Sequence, residues 1–263
     1  MVDASLLNWT MNQFLALVII MIRVGPLLFL MPITGSRNVP SQVKILLTAA
    51  TSLILVSIVP VRAEQLPATM LGFCVFVASE VSFAVILAVF ARLIFDAVQL
   101  AGQMVDIQMG MGMAGVMDPQ FGIQVSLTGQ FWNLIAILIF LAINGHHLYI
   151  STLAESFTWV KPGTLHISGA TFEGMMQGMT RMFFMAVKIM APASAAVFFS
   201  HVAMGIIAKT VPQVPILIVG MPLNIGVGFI FIGLSLIYFL PLMVSQFEML
   251  GRILPKLAQG LGG

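Results

Sequence analysis

The sequence predicts an all-α protein associated with a membrane. Of its 263 residues, 60% are hydrophobic and 8% are charged, whereas a typical soluble domain has roughly 45 to 50% apolar residues and about 25% charged residues. The apolar residues form long runs, and most of these runs approach or exceed the ~20 residues that a helix needs to cross a bilayer. Proline and glycine interrupt the later runs, which favours broken helical hairpins among the long apolar helices.

Six apolar runs make up most of the chain. They are Phe14 to Met31, Ile45 to Val61, Met70 to Phe95, Leu127 to Ile143, Met182 to Ala208 and Val214 to Val244. The simplest count is therefore six membrane spans. The first run lacks the basic start and the prompt small-x-small site of a cleavable signal, so we expect it to be retained.

Charges within and between these runs argue against six conventional spans. Arg23, Glu80, Arg92 and Lys188 lie within or near apolar runs, and a charge at the bilayer centre costs several kcal/mol, so their helices should face protein. The connecting segments carry similar numbers of Lys and Arg on both sides of a six-span arrangement. The positive-inside rule consequently assigns no orientation.

The last apolar run lies in a stretch of 38 residues without charge, from Thr210 to Phe247. Pro192 interrupts the run before it, and four prolines punctuate the last run and its start: Pro212, Pro215, Pro222 and Pro241. Because proline removes a backbone donor and clashes with the preceding turn, we interpret residues 210–247 as two short broken helices that form a hairpin.

Polar residues recur on one face of the predicted helices. The first stripe, with spacings of four, three, four and three, consists of Arg92, Asp96, Gln99, Gln103 and Asp106, and a later stripe consists of Glu173, Gln177, Arg181 and Lys188. We hypothesise that these buried polar seams pair with each other or with partner subunits, because an unpaired charge in an apolar assembly is strongly destabilising. A proton relay or transported-ion site is the alternative, with Glu80 as its best candidate, although a structural partner for Glu80 is the preferred interpretation.

A segment rich in methionine and glycine follows the first seam. Residues 104–122 read MVDIQMGMGMAGVMDPQFG and contain a formal GxGxxG match at Gly110, Gly112 and Gly115. A dinucleotide site needs a preceding strand and an acidic residue about 20 positions on, and neither is present. Glycine supplies mobility and methionine a conformable apolar surface. The segment is therefore either a mobile seal or a kinked helix interface at small residues.

Signals for catalysis and for other ligands are absent from the sequence. There is no phosphate-binding loop, HExxH, GxSxG or cysteine pair, and Cys74 is the single cysteine. His146 and His147 are adjacent and point in different directions on a helix, so they do not form a metal clamp. The net charge of +2 is too small and scattered for nucleic acid. We expect no enzymatic activity, no cofactor, no metal and no nucleic-acid partner.

Four blocks of sequence together resemble a known family. They are Arg23, Gly25, Pro26, Gly35 and Pro40; FDAVQLAGQMVDIQMGMGMAGVMDPQFG at 95–122; FLAINGHHLYISTLAESF at 140–157; and VPQVPILIVGMPLNI at 211–225. These blocks resemble the flagellar biosynthetic protein FliR family, which is shared with the T component of virulence type III secretion export gates. The last block departs from the family pattern at Pro215, where asparagine is usual, and at Asn224, where lysine is common.

The resemblance implies a non-enzymatic subunit of the flagellar type III export gate in the bacterial inner membrane, at the flagellar basal body. Family members assemble with several copies of FliP and FliQ, within an apparatus that includes FlhA and FlhB, and unfolded flagellar proteins pass through the pore. Export is driven by the proton motive force and a separate ATPase. By resemblance, residues 1–190 form a FliP-like region and residues 191–263 a FliQ-like hairpin region, in one integrated unit.

The resemblance also assigns residues 106–122 to a plug loop that closes the channel. Its residues are Met109, Gly110, Met111, Gly112, Met113, Gly115 and Met117. The methionines would pack in the lumen and exclude water and ions, and the glycines would let the loop move. Two alternatives stay open: a secondary transporter or channel with Glu80, Arg92 and Asp96 at a midplane ion site, and an assembly scaffold without pore-lining residues.

Overall fold

The protein is all-α throughout the part of the chain that the computed structural model describes, which comprises residues 4–36, 39–61, 66–67, 69–111, 126–213 and 215–262. Seven helices lie in these ranges, and no β-strand does. They are α1 (Ala4–Leu30), α2 (Ser41–Val56), α3 (Met70–Gln108), α4 (Leu127–Ala142), α5 (Gly145–Trp159), α6 (Gly169–Thr210) and α7 (Ile216–Gly260). The prediction of an all-α protein with long apolar helices is confirmed.

Among the described helices, α1, α3, α6 and α7 are long and apolar enough to cross a membrane, and α4 with α5 could form a fifth, broken span. The count of six separate spans is corrected at two places. First, α2 has 16 residues and a length of about 24 Å, less than the roughly 30 Å thickness of the hydrocarbon core. Second, the break between α4 and α5 falls at Asn144, whose backbone is left-handed with φ 57°.

The last apolar run is one continuous helix, which corrects the prediction of two short helices within residues 210–247. Pro222 and Pro241 lie inside α7, as Pro192 lies inside α6. Each interior proline removes one backbone donor at a cost of about 3 kcal/mol, and the remaining hydrogen bonds of a 45-residue helix continue past it. Helix α6 ends instead at Thr210 and α7 begins at Ile216, where the Pro215 carbonyl accepts hydrogen bonds from the Ile218 and Val219 N–H groups.

The chain packs as two compact units, each assembled from segments that are distant in sequence. Unit 1 consists of Met1–Leu93, Asn144–Gly178 and Glu248–Gly263, and unit 2 consists of Ile94–Ile143 and Met179–Phe247. Three helices, α3, α6 and α7, contribute to both units. The expected division between residues 190 and 191 falls inside α6.

In unit 1, helix α2 presents an inverted pattern of polarity. Its buried residues are Thr48, Ser52 and Leu55, whereas Leu46, Leu53 and Ile54 are exposed. A Cβ added to Gly25 of α1 would lie 3.7 Å from the Thr48 methyl carbon, so small residues mark the α1–α2 contact. Small residues between helices with aliphatic side chains outside are typical of membrane-embedded helices.

In unit 2, aromatic rings join helices α3, α4 and α7. The ring of Phe95 lies 5.7 Å from that of Phe140 and 5.4 Å from that of Phe247, and the latter two are 5.2 Å apart. Trp132 stacks on Phe239 at 6.2 Å. Aromatic pairs at these separations contribute beyond their buried area, and they pack α4 and α7 against α3, the helix that carries the start of the methionine- and glycine-rich segment.

Candidate functional site

Helix α3 ends in a hydrogen-bonded cap that requires a glycine. Gly110 has φ +82°, its N–H donates to the Ile107 carbonyl at 3.1 Å, and the Met111 N–H donates to the Asp106 carbonyl at 3.0 Å. This pair of bonds is the Schellman motif, in which the left-handed residue is usually glycine because a Cβ is disfavoured there. The helical part of the methionine- and glycine-rich segment therefore ends at a defined stop, not at a frayed helix end.

The first turn of α4 is bonded to the last turn of α3. The Asp106 carboxylate accepts hydrogen bonds from the Thr128 hydroxyl and from the Thr128 N–H, the latter at 3.3 Å. Ser126 caps the same helix and accepts from the Gly129 N–H at 2.8 Å. A carboxylate at a helix N-terminus is favoured by the helix dipole. Met111 and Ser126 thus lie at the two helix ends that this bond joins within unit 2.

Below this junction the backbones of α3 and α4 touch at two glycines. A Cβ on Gly102 would overlap the backbone of Gly129 and lie 2.8 Å from the carbonyl carbon of Thr128. On the other side, a Cβ on Gly129 would lie 3.0 Å from the side-chain nitrogen of Gln99. The contact is close because neither helix carries a side chain at the crossing. It holds the two ends of the segment side by side.

The start of the segment also rests on α7. The Met109 side chain is fully buried and occupies the space where Gly228 lacks a side chain: a Cβ on Gly228 would overlap Met109 Sδ and lie 2.7 Å from its Cγ. A Cβ on Gly110 would lie 3.7 Å from Met221 Cγ. We call the contact of Met109 with Gly228 the seat. It attaches the segment to α7 just before the chain leaves α3.

The other expected plug residues are only partly covered by the structure. Met111 is half-buried. Gly112, Met113, Gly115 and Met117 lie outside the described residues. The described geometry is consequently that of the frame from which the segment departs: the glycine cap, the bond from Asp106 to Thr128, and the seat.

The seam residues differ in exposure within the single chain. Glu80 and Asp106 are buried and Asp96 and Gln99 are half-buried, whereas an exposed group consists of Arg92, Gln103, Glu173, Gln177, Arg181 and Lys188. On α3, the seam begins at the exposed Arg92 and ends at the buried Asp106, which lies nearest the segment.

Glu80 is bonded to Arg23 inside unit 1. Arg23 Nε donates to Glu80 Oε2 at 2.6 Å and Arg23 Nη2 donates to Oε1 at 3.1 Å, with side chains 0% and 2% exposed. The Gly163 N–H donates to Glu80 Oε1 at 2.7 Å. Both carboxylate oxygens therefore have donors from the protein. The structural partner expected for Glu80 is Arg23.

The Arg23 guanidinium has further partners of its own. Its Nη1 donates to the Ser156 carbonyl at 3.1 Å and to the Val160 carbonyl at 3.2 Å. Its central carbon lies 4.5 Å from the Phe83 ring centre and 4.4 Å from that of Phe157, within the range of cation–π attraction. The charge is thus compensated by a carboxylate, two carbonyls and two rings.

The sequence does not identify two of the contacts described above: Thr128 as the partner of Asp106, and Gly228 as the partner of Met109. Thr128 has no distinguishing neighbour in the sequence, and Gly228 looks like the other glycines of α7. Arg23 and Glu80 carried a usable signal, because each is a lone charge in an apolar run and such charges require partners. Because Arg23 and Glu80 have opposite charges, each is a suitable partner for the other.

Metal ligation has no support in the part of the chain that the structure describes. No group of three or more His, Cys, Asp and Glu side chains is close enough to hold an ion there. The rings of His146 and His147 meet edge to face with centres 4.3 Å apart. This pair begins α5 and forms an aromatic contact.

The sequence is similar over most of its length to known proteins. Residues 14–250 match the family described as "Bacterial export proteins, family 1". A protein named "Flagellar biosynthetic protein FliR" from Bacillus subtilis (strain 168) is 32% identical over 231 residues, 85% of this chain and 87% of that protein. Proteins of the same name from Aquifex aeolicus (strain VF5) and Pectobacterium carotovorum subsp. carotovorum are 29% identical over 91% of the chain and 92% of the relative, and 26% identical over 97% of both.

Proposed function

The chain belongs to family 1 of the bacterial export proteins, and from this membership, which gives it a role in flagellar protein export, we propose that it is a subunit of the flagellar type III export gate. The gate is an inner-membrane-associated channel built with several copies of FliP and FliQ, and it works beside FlhA and FlhB. Unfolded flagellar proteins are its substrate. In this proposal residues 1–190 correspond to a FliP-like region and residues 191–263 to a FliQ-like region.

The length of the helices supports a place in a larger assembly. Helices α3, α6 and α7 have 39, 42 and 45 residues and extend about 58, 63 and 67 Å, roughly twice the hydrocarbon core of a bilayer. A straight helix of that length leaves half of itself outside the core. Apolar surface exposed there is suited to contact with other protein chains.

The surface of α6 supports the same conclusion. Phe183, Phe184 and Val187 are exposed on it, and the charged Lys188 is exposed directly beside them. A lone chain that exposes this much apolar surface is unstable in water, and an exposed cation within it is costly in hydrocarbon. Partner subunits that bring both apolar and anionic groups satisfy both requirements, as the seam hypothesis proposed.

The channel-closing part of the function is assigned to the segment that follows Met109. The observation that carries this assignment is the frame of the segment: its two ends are joined by Asp106 and Thr128, and its start is seated on Gly228. A segment held in this way can close a lumen without losing its position. Met109 acts as an anchor, since its side chain is buried within unit 2, and Met111, Met113 and Met117 form the apolar seal.

The competing transporter function is not supported at its best-placed carboxylate. Glu80, its best candidate, has both oxygens bonded to Arg23 and to the Gly163 N–H. A transported ion or proton needs a carboxylate that can exchange partners. Here the carboxylate is held in a bidentate pair that no ion can enter without breaking it.

Two measurements test the proposed function. The chain is expressed with and without FliP-like and FliQ-like partners, purified through a tag on this chain, and weighed by native mass spectrometry. We expect one heteromeric particle with the partners and an unstable chain without them. A stable lone monomer that binds a small solute would contradict the proposal.

The plug is tested in the same complex by deleting residues 112–117, which spares the glycine cap of α3. We expect an intact particle and a membrane that leaks ions. The matched control replaces Met113 and Met117 with leucine, which keeps the apolar volume and should stay tight. An ion-tight deletion in an assembled gate would overturn the plug assignment.

A further inference from the structure

Helices α6 and α7 run antiparallel within unit 2, and two contacts fix their register. The Ser200 hydroxyl donates to Asn224 Oδ1 at 2.7 Å. Val197 Cγ2 lies 3.6 Å from the position that a Cβ on Gly228 would take. A step back along α6 therefore corresponds to a step forward along α7.

This register brings Lys188 of α6 level with Tyr238 of α7. Lys188 lies twelve residues before Ser200, and Tyr238 lies fourteen residues after Asn224. The two side chains therefore leave the helix pair within about 3 Å of the same height. Both are exposed, Tyr238 to 74%. An exposed lysine and an exposed tyrosine at one level are typical of a membrane–water interface, where the amine extends toward lipid phosphate and the phenol toward water.

A second lysine lies at the opposite end of α6. Lys209 is exposed in the last turn of the helix, 21 residues after Lys188. That separation corresponds to about 32 Å along a helix, close to the roughly 30 Å thickness of a hydrocarbon core. Neither lysine has an ion-pair partner within the described ranges of the chain. The two amines are therefore spaced to flank one bilayer core.

The surface between these two levels is apolar on both helices. No Asp, Glu, Lys or Arg lies between Lys188 and Lys209, and none lies in the first part of α7 up to Tyr238. The exposed side chains of this stretch include Phe198, Phe199, Val202, Ile218, Ile230 and Leu234. Side chains of this kind are suited to contact with lipid acyl chains.

Polar side chains in the same stretch are compatible with an apolar environment. Ser200 and Asn224 bond to each other, and the Ser235 hydroxyl donates to the Ile232 carbonyl at 2.7 Å. His201 is exposed and is uncharged as a neutral imidazole. These side chains add no fixed charge between the two levels.

From this arrangement we propose that the α6–α7 pair contacts bilayer lipid between the level of Lys188 with Tyr238 and the level of Lys209. Acyl chains cover the exposed apolar side chains, and lipid phosphates lie beside the lysines at the two edges. The inference rests on the proposed function in that it places the chain in the same membrane complex, and it adds which half of α6 lies in the hydrocarbon core. Phe183 and Phe184 lie beyond Lys188, outside the core, where the proposed partner subunits cover them.

The test measures how lipid quenches a fluorophore attached to the complete complex. Cys74 is replaced with serine in a complex without other cysteines, and Phe199→Cys then carries a bimane label near the middle of the stretch. The matched control is Phe183→Cys, since both phenylalanines are exposed on α6 but Phe183 lies five residues beyond Lys188. Both complexes are reconstituted in phosphatidylcholine vesicles whose acyl chains carry bromine near their ends.

We expect the deep bromine to quench the label at residue 199 at least about twice as strongly as the label at residue 183, because the midplane lies roughly 15 Å from each edge of the core. Equal quenching at the two positions would overturn the boundary at Lys188. A label on Tyr238→Cys should be quenched more by a spin label on the lipid headgroup than by the deep bromine. The reverse order would contradict the level assigned to Tyr238.

The remaining outcomes separate this inference from the function on which it rests. Val202→Cys replaces Phe199→Cys if the latter does not assemble, since Val202 is exposed in the same stretch. An intact particle with no quenching at these positions would mean that protein covers the surface. That result would overturn the lipid contact and leave the export gate standing. Failure of the wild-type chain to form a heteromeric particle in native mass spectrometry would instead contradict the proposed function.

Discussion

Arg23 and Glu80, which lie 57 residues apart in sequence, form a buried bidentate ion pair between α1 and α3. The pair also reaches a third part of unit 1, because Arg23 donates to the Ser156 and Val160 carbonyls and Glu80 accepts from the Gly163 N–H. Three separate segments of the chain are joined by two charged side chains. The pair therefore determines how unit 1 is assembled.

Removing one member of this pair should destabilise unit 1 strongly. Glu80→Ala leaves the Arg23 charge buried without its carboxylate, and breaking a buried pair in this way costs about 3 to 5 kcal/mol. Thermal unfolding of the purified complex and steady-state protein level measure the effect. The control is Glu248→Ala, since Glu248 is exposed. Equal stability of the two variants would mean that the pair contributes little.

Reversing the pair should not restore stability. In the double variant Arg23→Glu with Glu80→Arg the carboxylate would face the Ser156 and Val160 carbonyls, which can only accept hydrogen bonds. We expect the double variant to be no more stable than Glu80→Ala in the same unfolding assay. Recovery to the wild-type level would show that stability depends on a pair of opposite charges and not on which position carries which charge.

The glycine cap of α3 should be sensitive to any Cβ. Gly110→Ala places a side chain at φ +82°, which costs roughly 1 to 2 kcal/mol for an L-residue. Gly110→Asn should cost less because asparagine tolerates the left-handed region. Gly233→Ala is the control, at a glycine with open space around it. The midpoint of thermal unfolding should be highest for Gly233→Ala, lower for Gly110→Asn and lowest for Gly110→Ala. Any other order contradicts the cap.

The Asp106 carboxylate should depend on the Thr128 hydroxyl in particular. Thr128→Val keeps the shape but leaves a buried carboxylate short of a donor, at a cost of about 1 to 3 kcal/mol. Thr128→Ser keeps the hydroxyl and should lose much less. The measurement is amide hydrogen exchange at the first turn of α4. Exchange there should accelerate more in Thr128→Val than in the control Gln103→Ala, which changes an exposed position of α3. Identical exchange in the serine and valine variants would argue against the bond.

The contact of Gly102 with Gly129 should tolerate no side chain. Gly102→Ala drives a methyl group into the backbone of α4, and no rotamer change can relieve a backbone overlap. We expect a loss of at least the ~1 to 3 kcal/mol typical of overpacking and poor recovery of the complex. Gly205→Ala, at a helical glycine with nothing within 4 Å, should be recovered normally. Normal recovery of both would show that α3 and α4 can separate freely.

The helices were predictable from the sequence because apolar runs of this length have few other stable forms in a membrane. The break between α6 and α7 was harder to place, since Pro222 and Pro241 suggest breaks just as Pro212 and Pro215 do. A long helix can lose single donors and continue. Which proline ends a helix depends on the tertiary contacts around it.

The frame of the segment was predictable only in part. The glycine- and methionine-rich composition indicated where the segment lies, and Asp106 was recognised as a seam residue. The role of Gly228 could not be inferred, because Gly226 and Gly233 present the same residue type in the same apolar helix and face open space. The partner of Met109 lies more than a hundred positions away, and its identity depends on how α3 and α7 pack.

The bond from Asp106 to Thr128 also has a consequence for protein engineering. Because both ends of the intervening segment are fixed side by side, its contour length can change without altering the distance that it must bridge. Loops of different length or chemistry can therefore be grafted between Met111 and Ser126 while the helices beneath keep their register.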